Sequence, residues 1–340
     1  MHIVYTERHK LHATEDVWVD GQPLIVEEVP ARVEIILEAV RAANLGPVAA
    51  PTDHGMAPIL AVHDAGFVEH LRTAYTENAA QLGEPATVLA GTFATRYAGP
   101  RPTSFRALVG YYAYGAGAPI LAGTWEAAYW SAQCALSAAD LVRAGERAAY
   151  ALCRPPGHHA AQDLYGGFCY LNNVAIAARR LHSEGKVAIL DIDYHHGNGT
   201  QAIFYTDPAV LYGSLHADPD RAYPYYWGYA NERGAGPGEG TNYNWPLPRG
   251  TGDADYLATL DQALATIRRF KPRFCVVSVG YDTAVGDAVG GFNITTDGFR
   301  AIGEHIAGLG LPTLLVQEGG YRLDTLGENA VAFLKAFSTA

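Results

Sequence analysis

Cysteine is scarce in this 340-residue chain. There are four, Cys134, Cys153, Cys169 and Cys275, and no two are spaced as Cys-x-x-Cys. That argues against a disulfide framework and a zinc knuckle, and for a reducing compartment. No apolar run is long enough to span a membrane, and the opening MHIVYTERHK has no apolar signal core. The expectation is a cytoplasmic protein with no membrane partner. Positive charge is also in short supply. With 24 Lys and Arg against 35 Asp and Glu, the formal charge is -11. Such a balance disfavours a nucleic-acid partner and favours cationic ligands. Gly-x-Gly-x-x-Gly and P-loop motifs are missing, so nucleotide binding lacks support. A Gly-x-Ser-x-Gly elbow is missing too, which weakens a serine hydrolase.

What is present is a long globular composition, with 49% hydrophobic and 17% charged residues. A chain of this length buries about three quarters of its unfolded surface and needs no crosslink to hold its core. The 37 Gly and 19 Pro imply many tight loops.

MHIVYT reads as a short buried strand. Pro30 opens a helix with Val33, Ile36, Leu37 and Val40 on one face. Phe67, Leu71, Ala74 and Tyr75 mark another. Residues 81–120 show no period and read as a long functional loop or insertion. Thr124 is placed to cap a helix through about Val142.

A βα rhythm follows. Strands are predicted at 149–153, 187–193, 209–216, 274–280 and 312–318. Helices are predicted at 170–184, on the Leu257, Leu260, Leu264 and Ile267 stripe, at 297–308 and from about Asp324. Short, wholly apolar strands alternating with helices indicate a parallel sheet covered on both faces. With no linker or repeat, one domain over 1–340 is expected.

The unusual residues gather where these strands end. RPPGHH (154–159), DIDYHHGNGT (191–200), GYD (280–282) and EGGY (318–321) each close a strand. In an open parallel sheet, ligands bind outside the carboxyl ends of the strands. Four polar clusters at one edge can therefore share a pocket.

Residues two apart on a strand share a face, so Asp193 and His195 can point at one ion, with Asp191 deeper and Asp282 arriving from another strand. Two carboxylates, an imidazole and an open position suit catalytic Zn²⁺, and the hard oxygens also accommodate Fe²⁺. Helix capping or a structural cation is the alternative use of these aspartates. His158 and His159, adjacent on a Pro-Pro-Gly turn beside such an ion, suggest proton transfer. Asp191 and Asn198 are available to orient them. A carboxylate and an amide as partners would separate the two imidazole pKa values. Tyr321, after Gly319 and Gly320, can polarise a bound carbonyl, or it can be the packed aromatic of a plain turn. Phe168 and Tyr223 can wall a narrow entrance or simply pack.

RPPGHH, GGFCYLNN, ILDIDYHHGNGTQ, VSVGYD and EGGY resemble, in order, the motifs of the histone deacetylase superfamily. GTWEAA (123–128) and the chain length resemble its bacterial acetylpolyamine amidohydrolases.

The resemblance implies a three-layer α/β/α arginase/deacetylase fold around an eight-stranded parallel sheet. It implies a zinc-dependent deacetylase acting on acetylated polyamines or similar cationic amines, or more broadly on acyl-lysine. It assigns Asp193, His195 and Asp282 to zinc, and His158 and His159 to a tandem pair with His159 as base. Asp191 and Asn198 become their partners and Tyr321 the carbonyl-polarising group. Gly167, Phe168, Tyr223 and Gly319 become substrate contacts. Two K⁺ sites are implied, one at Asp191, Asp193, His195, Ser214 and Leu215, the other at Phe204, Asp207, Val210 and Thr241.

The 81–120 insertion resembles a segment through which polyamine members form homodimers. Arg106 and Gly117 stand where those members place acidic residues. Glu15, Asp16, Asp218 and Asp220 are candidate substitutes.

Overall fold

The computed structural model describes residues 1–14, 18–19, 22–23, 26–94 and 99–338. Ten strands are described: β1 (His2–Val4), β2 (Trp18–Val19), β3 (Gln22–Pro23), β4 (Val48–Ala49), β5 (Ala148–Ala151), β6 (Val187–Asp191), β7 (Val210–Ala217), β8 (Asn242–Leu247), β9 (Phe274–Val279) and β10 (Thr313–Gln317). β2 and β3 pair as a small antiparallel ribbon. The other eight form one sheet in the order β4-β1-β5-β10-β9-β6-β7-β8. Every pairing in it is parallel. This is the three-layer α/β/α arrangement with eight parallel strands that the sequence led us to expect.

The sheet is buried because its strands are apolar on both faces. Ala149, Ala151, Val187, Ile189, Val276, Leu314 and Val316 pack into one layer. Their neighbours Ala148, Tyr150, Ala188, Leu190, Val277 and Leu315 pack into the other. The helices present matching stripes. Leu260, Leu264 and Ile267 of the helix Asp253–Phe270 are buried against the second layer. Each such side chain contributes roughly 1.5–3 kcal/mol by leaving water.

Three readings of the sequence need correction. The 81–120 segment is not structureless: it holds a helix, Phe105–Tyr112, that buries Phe105, Val109, Gly110 and Tyr112. Its Gly and Tyr content hides the period, and Gly110 is required because a Cβ there would strike the Thr92 carbonyl.

The strand predicted to run to Asp193 ends at Asp191. Asp193 and His195 therefore meet on the chain leaving the sheet, where the Asp193 carboxylate accepts the His195 N–H at 2.9 Å. They do not alternate along a strand.

β8 was not foreseen, since Pro246 interrupts it. Pro is tolerated there because β8 is an edge strand.

Candidate active site

β5, β10, β9 and β6 are consecutive in the sheet. Their registers bring Ala151, Val316, Ser278 and Asp191 into line. The four polar clusters therefore leave the sheet side by side at one rim.

Asp193, His195 and Asp282 come together there, with one donor atom from each within 4.8 Å of the others. His195 Nδ1 lies 2.9 Å from an Asp282 oxygen and 3.3 Å from Asp193. Both carboxylates are essentially inaccessible to water. Burial and the neighbouring Asp193 push Asp282 up to about 7. Burial also works against Asp193, but His158 and His195 hold it well below the usual carboxylate range. Two buried carboxylates this close are stable together as anions only around a cation, so the donor set fits a divalent ion.

Backbone amides complete the cradle. Gly319 N–H donates to Asp193 and Tyr194 N–H to Asp282, both at 2.9 Å. A Cβ on Gly319 would lie 2.6–2.7 Å from those two carboxylates, so only glycine fits. His158, Cys169 and Glu318 also bring donor atoms within 4.8 Å of one another. They suit a cation less well. Burial raises the Cys169 thiol, and one Glu318 oxygen already accepts the Gly157 and His158 N–H groups.

The two adjacent histidines have unequal partners. His158 Nδ1 lies 3.1 Å from Asp191, and His159 Nδ1 lies 2.8 Å from Asn198. Burial opposes charge on both rings. Asp193 and Asp191 overcome it at His158, whose pKa rises to about 10. At His159, burial together with His158 and His195 pushes it well below the ordinary value. Asp191 is fixed further by the Tyr212 hydroxyl at 3.1 Å.

Tyr321, Phe168, Tyr223, Gly167 and Gly319 line a cavity of about 440 Å³ together with His158, His159, Asp193 and His195. Tyr321 packs against Phe168 at 5.8 Å between ring centres, and Tyr223 stands edge-on to His159 at 5.1 Å. Gly167 has φ +56, and a Cβ there would press on the His159 ring at 2.5 Å.

Asp191 and Ser214 are register partners on β6 and β7, so the first proposed K⁺ set shares this rim. The second lies before β7, at the opposite rim. There Thr241 Oγ1 donates to the Asp207 carbonyl, and Arg179 pairs with the Asp207 carboxylate at 2.7 Å. Gly117 lines the cavity but Arg106 does not. Neither Asp218 nor Asp220 lines it, and Glu15 and Asp16 lie outside the described residues.

Several residues escaped the sequence reading. Tyr114 accepts the Tyr223 hydroxyl at 2.7 Å and bonds to Asn198. The Asn198 oxygen is thereby turned towards His159. Asp287 accepts the N–H groups of Tyr321 and Arg322 at 2.7 and 2.9 Å, and those of Val289 and Gly290. It ties the loop that bears Asp282 to the loop that bears Tyr321. Arg32, fully buried, donates to the Gly320 and Glu318 carbonyls at 2.6 Å and sits over the Tyr321 ring at 4.5 Å. Glu28 joins it to buried Arg154. Arg221 and Arg249 also line the cavity. Apart from the Asp287 turn onto Val289 and Gly290 and the Glu28–Arg32 pair one helical turn apart, the contacts that build this set join residues remote in the chain.

Comparison with known proteins places the chain in a family. Residues 26–337 match the model of the histone deacetylase domain. Acetylpolyamine amidohydrolase 1 of Pseudomonas aeruginosa is 45% identical over 99% of both chains. The acetylpolyamine amidohydrolase of Mycoplana ramosa is 43% identical over 98% of this chain and 99% of its own. The crystal structure of the Burkholderia pseudomallei acetylpolyamine aminohydrolase superposes with a TM-score of 0.93 at 42% identity, covering 99% of this chain and 98% of that one. The HDA15 HD domain does so at 0.83 and 29%, covering 99% and 88%. The chain belongs to the histone deacetylase domain family and is a hydrolytic enzyme of that family.

Proposed function

We propose that the chain hydrolyses the acetyl amide of small acetylated amines, the class to which the acetylpolyamines named in its relatives belong, releasing acetate and free amine. Asp193, His195 and Asp282 would hold the divalent ion, Zn²⁺ or Fe²⁺. When bound, it supplies Lewis acidity to the acyl carbonyl and to water. The observation that carries the reading is this donor set beside two histidines whose partners differ in charge.

The side chains divide the remaining work. His159 donates Nδ1–H to Asn198, which leaves Nε2 free to take a proton from water. Tyr321 stays protonated, because burial raises its phenol. Its O–H can then be donated to the carbonyl oxygen as negative charge develops there. A protonated imidazole of the pair returns a proton to the leaving amine. Phe168 and Tyr223 flank the acyl chain, and the Gly167 carbonyl accepts the substrate amide N–H.

K⁺ at the two sets described above would be structural. Exposed Leu82 and Phe93 on the 81–120 segment support a homodimer through it. Two apolar layers sharing one sheet support a single catalytic domain. Among the described residues no helix is long and apolar enough to cross a membrane, and the charge of -11 disfavours nucleic acid.

A broader acyl-lysine deacylase is the second reading. It is favoured by a cavity in which no described lining residue besides Asp193 brings a carboxylate to meet a distant ammonium. The test is acetate release by metal-defined protein from acetylputrescine, acetylspermidine and an acetyl-lysine peptide. Turnover of the small amines well above the peptide is expected. Turnover of the peptide alone would support the broader deacylase, and no acetate from any of them would end both readings.

A further inference from the structure

Tyr321 meets the cavity through its ring, which packs against Phe168 and lies under the Arg32 guanidinium. Neither contact fixes how far the phenol reaches towards the floor. That depends on where the loop after β10 holds the Tyr321 backbone. β9 and β10 are neighbours in the sheet, so this loop runs beside the one that carries Asp282.

Asp287 stands between the two loops. One of its oxygens accepts the Tyr321 and Arg322 N–H groups at 2.7 and 2.9 Å. The other accepts the Val289 and Gly290 N–H groups at 3.0 and 3.2 Å. The first oxygen grips the loop after β10, and the second the loop after β9. Arg322 returns the grip, since its guanidinium donates to the Val285 carbonyl and pairs with Asp324. Two glycines let the loops close this far. A Cβ on Gly290 would strike the Asp282 carbonyl at 1.8 Å, and one on Gly286, at φ +73, would lie 2.8 Å from the Arg322 guanidinium. Deeper in, Gly319 donates its N–H to Asp193 at 2.9 Å and accepts the Tyr281 N–H at 3.1 Å.

The phenol and the ion ligand Asp282 are thus referred to one carboxylate. Hydrogen bonds to an ionised acceptor are the stronger kind, and four of them make a stiff clasp. An oxyanion donor works only within about 2.7–3.1 Å of the developing charge, so a small drift of the loop would forfeit it. Asp287 itself is not among the residues that line the cavity. We propose that Asp287 is a positioning residue for the reaction: its carboxylate sets the reach of the Tyr321 phenol towards the ion ligands, and Arg322 closes the clasp from the other loop. The proposal rests on the deacetylase reading above and on Tyr321 as the group that polarises the carbonyl.

The test measures acetate release by metal-loaded full-length enzyme, with acetylputrescine, acetylspermidine and the acetyl-lysine peptide as three probes. Asp287→Ala should lower kcat by about a hundredfold and Asp287→Asn, which keeps one acceptor oxygen, by about tenfold. Arg322→Ala should cost about threefold. KM and bound ion should stay nearly unchanged, and the loss should be the same on each probe, because the phenol acts at the acyl end they share. In a Tyr321→Phe background each of these changes should add almost nothing.

Losses that add fully to that of Tyr321→Phe would overturn the proposal, as would an unchanged kcat or a loss traced to KM or to the ion. All of these leave the deacetylase reading intact. Full kcat in Tyr321→Phe removes the phenol's role and this proposal, again without touching that reading. No acetate from the wild type on any probe ends both. If the Asp287 variants fail to fold, Arg322→Ala in the two backgrounds decides by the same comparison.

Discussion

The floor of the cavity and its mouth are built differently. On the floor each charged group has partners within hydrogen-bonding distance. Asp193 and Asp282 face His195, Asp191 faces His158 and Tyr212, and Asn198 is gripped between His159 and Tyr114. At the mouth the lining residues Arg221, Arg249 and Tyr225 are exposed, and the two arginines have no ion pair among the described residues. Buried charge needs full compensation, because an unpaired one costs several kcal/mol; exposed charge does not. A floor under that constraint can specify one reaction. A mouth free of it can vary in charge and so select among substrates.

The contrast is sharpest when the floor is broken. Asp282→Ala should lower kcat/KM by more than about a thousandfold for every acetyl amide, whatever its far end, as expected for loss of an ion ligand. Initial rates across the three probes check this. A loss confined to one probe would blur the distinction between floor and mouth.

Tyr321→Phe should come next. It should reduce kcat by about 10²–10³ with KM nearly unchanged and the ion retained, the size seen when an oxyanion donor is removed. Full kcat in that variant would remove the phenol from the chemistry.

Tyr114→Phe should have a smaller effect, a loss of about tenfold in kcat. It would free the Asn198 amide to turn and so loosen the His159 tautomer. In an Asn198→Ala background the same change should add almost nothing. Additive losses would show that Tyr114 acts by some other route.

The smallest effect lies away from both regions. His63 accepts the Asn172 N–H at 2.9 Å and lies 3.3 Å from the Gln162 carbonyl. Burial lowers its pKa from 6.5 to about 4. The unfolded chain therefore binds a proton below 6.5 that the folded one refuses until about 4. Stability is complete above that window and falls as pH drops through it. At pH 5.5 the loss from this group is about 1 kcal/mol. Urea unfolding at pH 7.5 and 5.5 should show His63→Gln losing less on acidification than the wild type. Equal losses would contradict the assignment.

Much of the floor was legible in the sequence, for a physical reason. RPPGHH, GYD and EGGY follow strands so apolar that a sudden run of His, Asp and Tyr stands out, and a parallel sheet sends all such runs to one rim. The mouth and the supporting contacts were not legible. Tyr114 meets Tyr223 across 109 residues, and Arg32 meets Gly320 across 288. No local pattern encodes such pairings. The helix Phe105–Tyr112 was hidden by Gly and Tyr, and β8 by Pro246. At Asp193 and His195 the sequence suggested the right neighbours for the wrong reason, since a turn beyond β6 rather than strand alternation brings them together.

The proposed chemistry requires one divalent ion gripped by Asp193, His195 and Asp282. Calorimetric titration of chelator-stripped protein with Zn²⁺ tests this directly. One tight site per chain is predicted for the wild type and for His159→Ala, and its loss in Asp193→Ala and Asp282→Ala. Unaltered tight binding in the two aspartate variants would contradict it.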